Sequence, residues 1–235
     1  MDYDLDYIKK KSEDLISALN LIGQPVSITY TASEIKSPVE NPIAICHALN
    51  IARSGGVLCI NEEKCACPGG SWHLGFGEKH TGLEKRLVNG EKLWCSVAVA
   101  YQSIASTHKI APPPLGLAKN IVFSPLNLIE LKPDIVVIFA NPFQASRLIF
   151  LADYHGFPIN PRVNGSLCWS AITYPLVTGS FNITMGDPTA RRNQNVNENE
   201  LYVSIPYRMF PGILDALTKS TAGNAEPAPW FGRAV

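Results

Sequence analysis

The chain has 235 residues, 46% hydrophobic and 17% charged. That is enough apolar material for one large domain or two small ones, and it excludes an intrinsically disordered protein. Lys plus Arg is 20 and Asp plus Glu is 20, a formal net charge of zero, so no whole-chain field draws the protein to nucleic acid or an anionic membrane.

The N-terminus alternates acids before Lys9-Lys10-Lys11 and lacks the apolar stretch of a secretory signal. The most apolar internal run, Ile135 to Ala140, is too short to span a bilayer. A cytoplasmic protein is expected. Six cysteines in that compartment point to metal, redox or plain burial rather than disulfides.

In chain order, Ile8, Leu15, Leu19 and Ile22 fall on one side of an amphipathic helix over Asp6–Ile22. Gly23-Gln24-Pro25 ends it, and Val26–Tyr30 alternates as a strand. Ile43–Arg53 reads as a helix closed by Gly55-Gly56, and Val57–Ile60 as a short strand. Asn61–Gly77 reads as a loop dense in Cys, Gly and aromatics. Leu93–Tyr101 is strand-like. Pro112-Pro113-Pro114 breaks the chain at its midpoint, giving an N-terminal half over 1–111 and a C-terminal half over 112–220.

In the second half, Ile121–Phe123 and Ile135–Phe139 are predicted strands, the latter central because it is apolar throughout. Helix follows over Ala145–Tyr154 and Ser170–Val177, strand over Phe181–Met185 and Leu201–Ile205, and helix over Phe210–Thr218. The tail, 221–235, reads as irregular, and its Trp230 and Phe231 then need a groove or the partner subunit of a homo-oligomer.

The halves resemble each other. Cys46 precedes Cys65 by nineteen residues, and Cys168 precedes Asp187 by the same interval. Lys92-Leu-Trp-Cys-Ser-Val97 mirrors Glu200-Leu-Tyr-Val-Ser-Ile205. The pattern predicts an internal duplication, with Cys46 and Cys168 facing each other across the join. The expected fold class is α/β (α+β), two pseudo-repeated halves around mixed sheets in one compact unit.

Cys65-Ala66-Cys67-Pro68-Gly69-Gly70 is the sharpest local signal. Two thiols on one loop reach a metal if the loop wraps it, and the glycines free backbone N–H groups to donate to sulfur. Redox thiols or a turn with half-buried cysteines fit the same residues. Cys-x-x-Cys is absent, so a site must be assembled from distant segments. Cys59 and Cys95 sit in apolar strand-like runs and read as core, as Cys46 and Cys168 do when taken singly.

Asn141-Pro142-Phe143-Gln144 follows the predicted central strand, where open α/β sheets bind ligands. These amides either orient a substrate or cap the next helix. Arg191 and Arg192 offer fixed charge for a carboxylate or phosphate, or form a solvated pair. Trp72-His73 and His80 flank the glycine-rich loop and are candidates for a secondary role at the site. No Gly-x-Gly-x-x-Gly, Walker motif or Gly-x-Ser-x-Gly occurs.

Taken together, Cys46, Ala52-Arg53-Ser54-Gly55, Cys67-Pro-Gly-Gly70, Leu74-Gly75, Pro133-Asp134, Asn141–Ala145, Cys168, Tyr174-Pro175, Thr178-Gly179, Asn182 and Gly186–Arg191 resemble the domain of unknown function 169 family. The resemblance implies an intracellular protein of archaea and anaerobic bacteria, with no established reaction. Some members have a cysteine near the Gly186–Arg191 turn, where this chain has Asp187.

The leading expectation is an iron–sulfur site of the 4Fe-4S type held by Cys46, Cys67 and Cys168, its fourth position Asp187, Cys65 or open. Zinc is the alternative metal. An open iron acts as Lewis acid on a small carboxylate or sulfur-containing substrate, held by Arg191 or Arg192 and oriented by Asn141 and Gln144. A non-catalytic cluster module and a thiol redox protein are the other readings. The expected partners are a small molecule or a redox protein, and neither nucleic acid nor membrane.

Overall fold

The computed structural model describes residues 4–33, 35, 39–117, 119–194 and 196–226. Trp230 and Phe231 lie outside them. Helix α1 (Leu5–Leu19) starts at Asp4, whose carboxylate accepts the Asp6 N–H, and ends at Asn20 in the left-handed region. Strand β1 (Val26–Thr31), helix α2 (Ile45–Arg53) and strand β2 (Leu58–Ile60) follow. After them come α3 (Pro68–Leu74), α4 (Leu83–Asn89), α5 (Val97–His108) and β3 (Asn120–Pro125). The second half runs β4 (Ile135–Ala140), α6 (Pro142–Asp153), a π-helical turn (Trp169–Thr173) continuing into α7 (Tyr174–Thr178), β5 (Asn182–Thr184), α8 (Pro188–Asn193), β6 (Leu201–Pro206) and α9 (Phe210–Ala216).

The six strands among the described residues form one antiparallel sheet in the order β2-β3-β1-β4-β6-β5. This replaces the mixed sheets expected from the sequence. The reason lies in β4, where Ile135, Val137 and Phe139 pack on one face while Val136, Ile138 and Ala140 pack on the other. Helices cover both faces, so an antiparallel strand here reads as the continuous apolar run usual in parallel sheets. One cover consists of α1, α6 and α9, and the opposite one of α2, the end of α3, the π-helical turn and α8.

The strand order is palindromic about the β1–β4 pair, and the registers on its two sides coincide. Val26 of β1 pairs Pro125 at the end of β3, as Ile135 of β4 pairs Pro206 at the end of β6. Leu58 of β2 pairs Phe123, as Asn182 of β5 pairs Ser204, each partner two residues before its proline. Each proline opens a short 3-10 turn, Leu126–Leu128 and Tyr207–Met209.

Two expected elements differ. Leu93–Tyr101 is a turn leading into α5, which Ser96 begins by accepting the Val99 N–H on its hydroxyl. Its Val-Ala-Val-Ala alternation imitates a strand, and only Ala100 of the helix is buried. The counterpart of β6 by register is therefore β3, not residues 92–97. The loop over Asn61–Gly77 contains α3, two glycines included, because Cys67 caps it and Pro68 occupies its first turn.

Candidate functional site

Four cysteines converge on the α2–α3 face of the sheet. Cys46 is the second residue of α2. The Cys65 segment is pinned beside the entry to that helix: the Ile43 N–H donates to the Lys64 carbonyl at 3.0 Å, and the Ala66 N–H to the Ile43 carbonyl at 2.9 Å. Cys67 caps α3, its sulfur accepting the Gly70 N–H at 3.3 Å. The Cys65 thiol donates to the Cys67 carbonyl at 3.5 Å.

Cys168, at the entry to the π-helical turn, is buried against Gly70. A Cβ on Gly70 would stand 3.4 Å from both the Cys168 sulfur and the Cys67 Cβ, and 3.1 Å from Ile45. These two cysteine atoms are thus no more than twice 3.4 Å apart.

Asp187 caps α8 as Cys67 caps α3, each followed by proline. Its Oδ1 accepts the Ala190 N–H at 2.8 Å and its Oδ2 the Leu167 N–H at 3.1 Å. The carboxylate thereby holds the start of the segment bearing Cys168. Asp187 and Cys67 thus share a capping role and a following proline.

The electrostatics follow from burial and crowding. Burial pushes the Cys46 thiol up to about 11, helped by Cys67 and Asp187. Cys65 rises to about 11 through burial, with Cys67 and Cys46 adding repulsion against a bond to the Cys67 backbone that opposes it. Cys168 is driven well above the usual thiol range by burial, then by Cys67, Cys46, Cys65 and Asp187. These couplings place the four sulfurs and the Asp187 carboxylate in one electrostatic neighbourhood. Among the described residues, no group of three or more His, Cys, Asp or Glu is set to hold a metal ion.

Three contributors carry no sequence signal. Gln194 is buried and donates its side-chain N–H to the Cys46 sulfur at 3.6 Å. Tyr202 lies within electrostatic reach of Cys46 and Asp187, and Tyr30 within reach of Cys168. Both phenolic oxygens are buried without a hydrogen-bond partner. Tyr30 and Tyr202 lie on strands of the sheet and Gln194 at the end of α8, so local pattern does not reveal them.

Of the predicted substrate residues, Asn141, Gln144 and Arg191 are engaged elsewhere. Asn141 and Gln144 form a capping box at the start of α6 (2.9 and 2.8 Å), and Gln144 also donates to the Leu19 and Asn20 carbonyls. They serve the α1–α6 cover, on the far side of the sheet from the thiols. The Arg191 guanidinium donates to the Met185, Asn197, Glu198 and Glu200 carbonyls and so folds its own loop. Arg192 is exposed.

Cys59 is buried in β2 as expected, whereas Cys95 is exposed because its segment is a turn, and all six cysteines are free thiols. His80 is exposed. His73 is buried and meets His108 ring to ring, Nδ1 to Nε2 at 3.1 Å. Beside this pair lies a cleft of about 190 Å³ lined by Trp72, Lys79, Tyr101 and His108. No described helix is long and apolar enough to cross a membrane.

Comparison with known proteins finds a relative in Uncharacterized protein MJ0308 of Methanocaldococcus jannaschii, 22% identical over 226 residues that cover 91% of this chain and 95% of the relative. No solved structure matches. The model of the domain of unknown function 169 family, described as Uncharacterised ArCR, matches residues 14–216, and the chain belongs to that family.

Proposed function

We propose that the chain is a cytoplasmic iron–sulfur protein whose cluster is held by Cys46, Cys67 and Cys168, with Cys65 or Asp187 at the fourth position. The observation that carries this reading is the meeting of cysteines from three distant segments in one electrostatically coupled group, three of them half-buried and Cys168 buried. Ionising several buried thiols side by side is costly, and a bound cationic centre offsets that cost by neutralising them together. The Gly70 N–H and the Gln194 amide already point at sulfur, as the surroundings of ligand thiolates do.

Thiolate ligands suit an iron–sulfur cluster or zinc, and zinc is the alternative metal.

The thiol redox reading is weaker. A reactive cysteine needs a lowered pKa, while burial raises Cys65, one of the two thiols of that reading, to about 11. Substrate chemistry at an open iron also loses support, since Arg191, Asn141 and Gln144 are spent on the fold. A closed cluster serving electron transfer or sensing, with a redox protein as partner, fits the residues better. We also infer that the two halves descend from one duplicated unit, on the strength of the palindromic strand order and the matched registers.

The test is iron and sulfide quantitation on anaerobically purified protein, with its visible spectrum. Brown protein absorbing near about 400 nm and carrying iron and sulfide together is expected. Colourless protein with stoichiometric zinc, or with no metal, overturns the reading.

A further inference from the structure

Helix α6 buries Gln144, Ala145, Leu148, Leu151 and Ala152. Its other side carries three aromatic residues, Phe143, Phe150 and Tyr154, which are 70%, 63% and 48% exposed. At about 100° per residue they fall within about 40° of one another around the helix, in a stripe about 16 Å long. Large aromatics carry more apolar area than other side chains, and three aligned on one face mark a surface that another apolar group covers.

Arg147, between Phe143 and Phe150 on this helix, holds the last described segment of the chain. Its Nε donates to the Ala222 carbonyl at 2.6 Å and its Nη2 to the Gly223 carbonyl at 2.7 Å, while its Nη1 donates to the Ala18 carbonyl at 2.7 Å. The guanidinium carbon stands 6.0 Å from the Phe143 ring centroid. The segment is closely built: the Asn224 N–H donates to the Leu217 carbonyl at 2.6 Å, and a Cβ on Gly223 would meet that carbonyl oxygen at 2.1 Å. The described residues end at Glu226, and Pro227-Ala-Pro-Trp230-Phe231-Gly-Arg-Ala-Val235 follow in the sequence. The chain is therefore delivered to the middle of the stripe just before its two large aromatic residues.

Trp230 lies seven residues beyond Gly223, a reach of up to about 23 Å. Phe143 and Tyr154 lie only about 6 and 10 Å along the helix from Arg147. Pro227 and Pro229 favour an extended approach.

We propose that the aromatic stripe of α6 is the docking surface for this chain's own C-terminal segment, with Trp230 and Phe231 seated on Phe143, Phe150 and Tyr154. Aromatic pairs gain from ring geometry beyond the area they cover. A tether this short presents the segment at an effective concentration of about millimolar, so a modest contact holds it and a free partner must compete with it. The stripe lies on the far side of the sheet from the thiols, and the proposal is independent of the cluster reading.

The experiment follows chymotrypsin cleavage after Trp230 and Phe231 by mass spectrometry, in the full chain and in the double variant Phe143→Ser with Phe150→Ser. Both positions are exposed, so the variant loses the stripe and keeps the core. Cleavage is expected to be at least about tenfold faster in the variant, because a docked segment must be released before the protease takes it. Equal rates overturn the proposal.

Should the variant fail to fold, photoreactive benzoylphenylalanine at position 150 of the otherwise unaltered chain decides, in a mixture with isotope-labelled copies. A crosslink to residues 227–235 of the same chain supports the proposal. A crosslink to α6 or to the C-terminal segment of a second copy overturns it and makes the stripe an interface between copies. Absence of any crosslink to the segment overturns it as well.

Discussion

Arg53 and Glu200 form a buried two-point ion pair, Nη1 to Oε2 at 2.9 Å and Nη2 to Oε1, with side chains only 12% and 9% exposed. Arg53 also donates to the Ile22 carbonyl through Nε and Nη2 (2.9 and 2.7 Å), and its guanidinium stands 4.4 Å from the Phe139 ring centroid. The pair ties the last turn of α2 to the edge of β6 and so fixes the helix that carries Cys46. Removing one partner strands a buried charge. Arg53→Leu is expected to cost about 3–5 kcal/mol in urea unfolding. The double variant Arg53→Leu with Glu200→Leu should recover much of that loss, since no charge is left uncompensated. A double variant as unstable as the single one would show that packing around Arg53, not the pair, does the holding.

The ligand assignment makes a sharper demand. Cys46→Ser, Cys67→Ser and Cys168→Ser are each expected to lose most of the bound iron. Cys59→Ala, in β2, and Cys95→Ala, on an exposed turn, should keep it. Cys65→Ser and Asp187→Asn decide the fourth position, and the one that lowers iron content names it. Asp187→Asn also weakens the cap on α8 and the bond to the Leu167 N–H, so its unfolding free energy must be measured beside its iron. Equal iron in all of these variants would remove the thiols as ligands.

Where periodicity and burial coincide, the sequence was readable. Ile8, Leu15 and Leu19 mark α1, and all three are buried. The unbroken run Ile135–Ala140 announces a central strand, and β4 does sit at the middle of the sheet. Convergence of the thiols was legible only as a repeated interval, since the distance between Cys46, Cys67 and Cys168 is set by sheet order. The role of Arg191 was hidden for a related reason. A loop of irregular backbone between β5 and β6 leaves carbonyls to satisfy, and the guanidinium meets four of them. Gly69 and Gly70 concealed α3, because helix propensity alone argues against a helix there, and the cap at Cys67 outweighs it.

The His73–His108 pair predicts an acid-labile fold. Burial lowers His73 from 6.5 to about 3, and His108 from 6.5 to about 4, the latter with help from the Lys79 charge. The unfolded chain therefore binds more protons than the folded one between these values and 6.5. Stability is full above about pH 6.5 and falls as the pH drops toward 3. His73 alone contributes on the order of 3 kcal/mol to the loss by pH 4. Urea unfolding at a series of pH values should show this slope, and His73→Leu should flatten it. A slope unchanged in the variant would assign the acid sensitivity to other groups.

The two glycines of α3 provide the finest test of the site's geometry. A methyl on Gly69 meets only ordinary contacts, Leu83 at 3.7 Å and the Cys67 sulfur at 4.0 Å. Gly69→Ala should therefore gain up to about 1 kcal/mol of helix propensity and keep its iron. A methyl on Gly70 is crowded by Ile45 at 3.1 Å and by the Cys168 sulfur and Cys67 Cβ, both at 3.4 Å. Crowding costs about 1–3 kcal/mol, which the propensity gain partly offsets, so Gly70→Ala should fold with a small loss of stability. Its methyl nevertheless enters the space that the Cys67 and Cys168 side chains share, and iron content should drop far more than stability does. Thermal unfolding and iron analysis on the two variants separate these effects. Equal iron in Gly69→Ala and Gly70→Ala would mean that the metal does not occupy the space Gly70 borders, because a group held by both thiols cannot ignore a carbon placed between them.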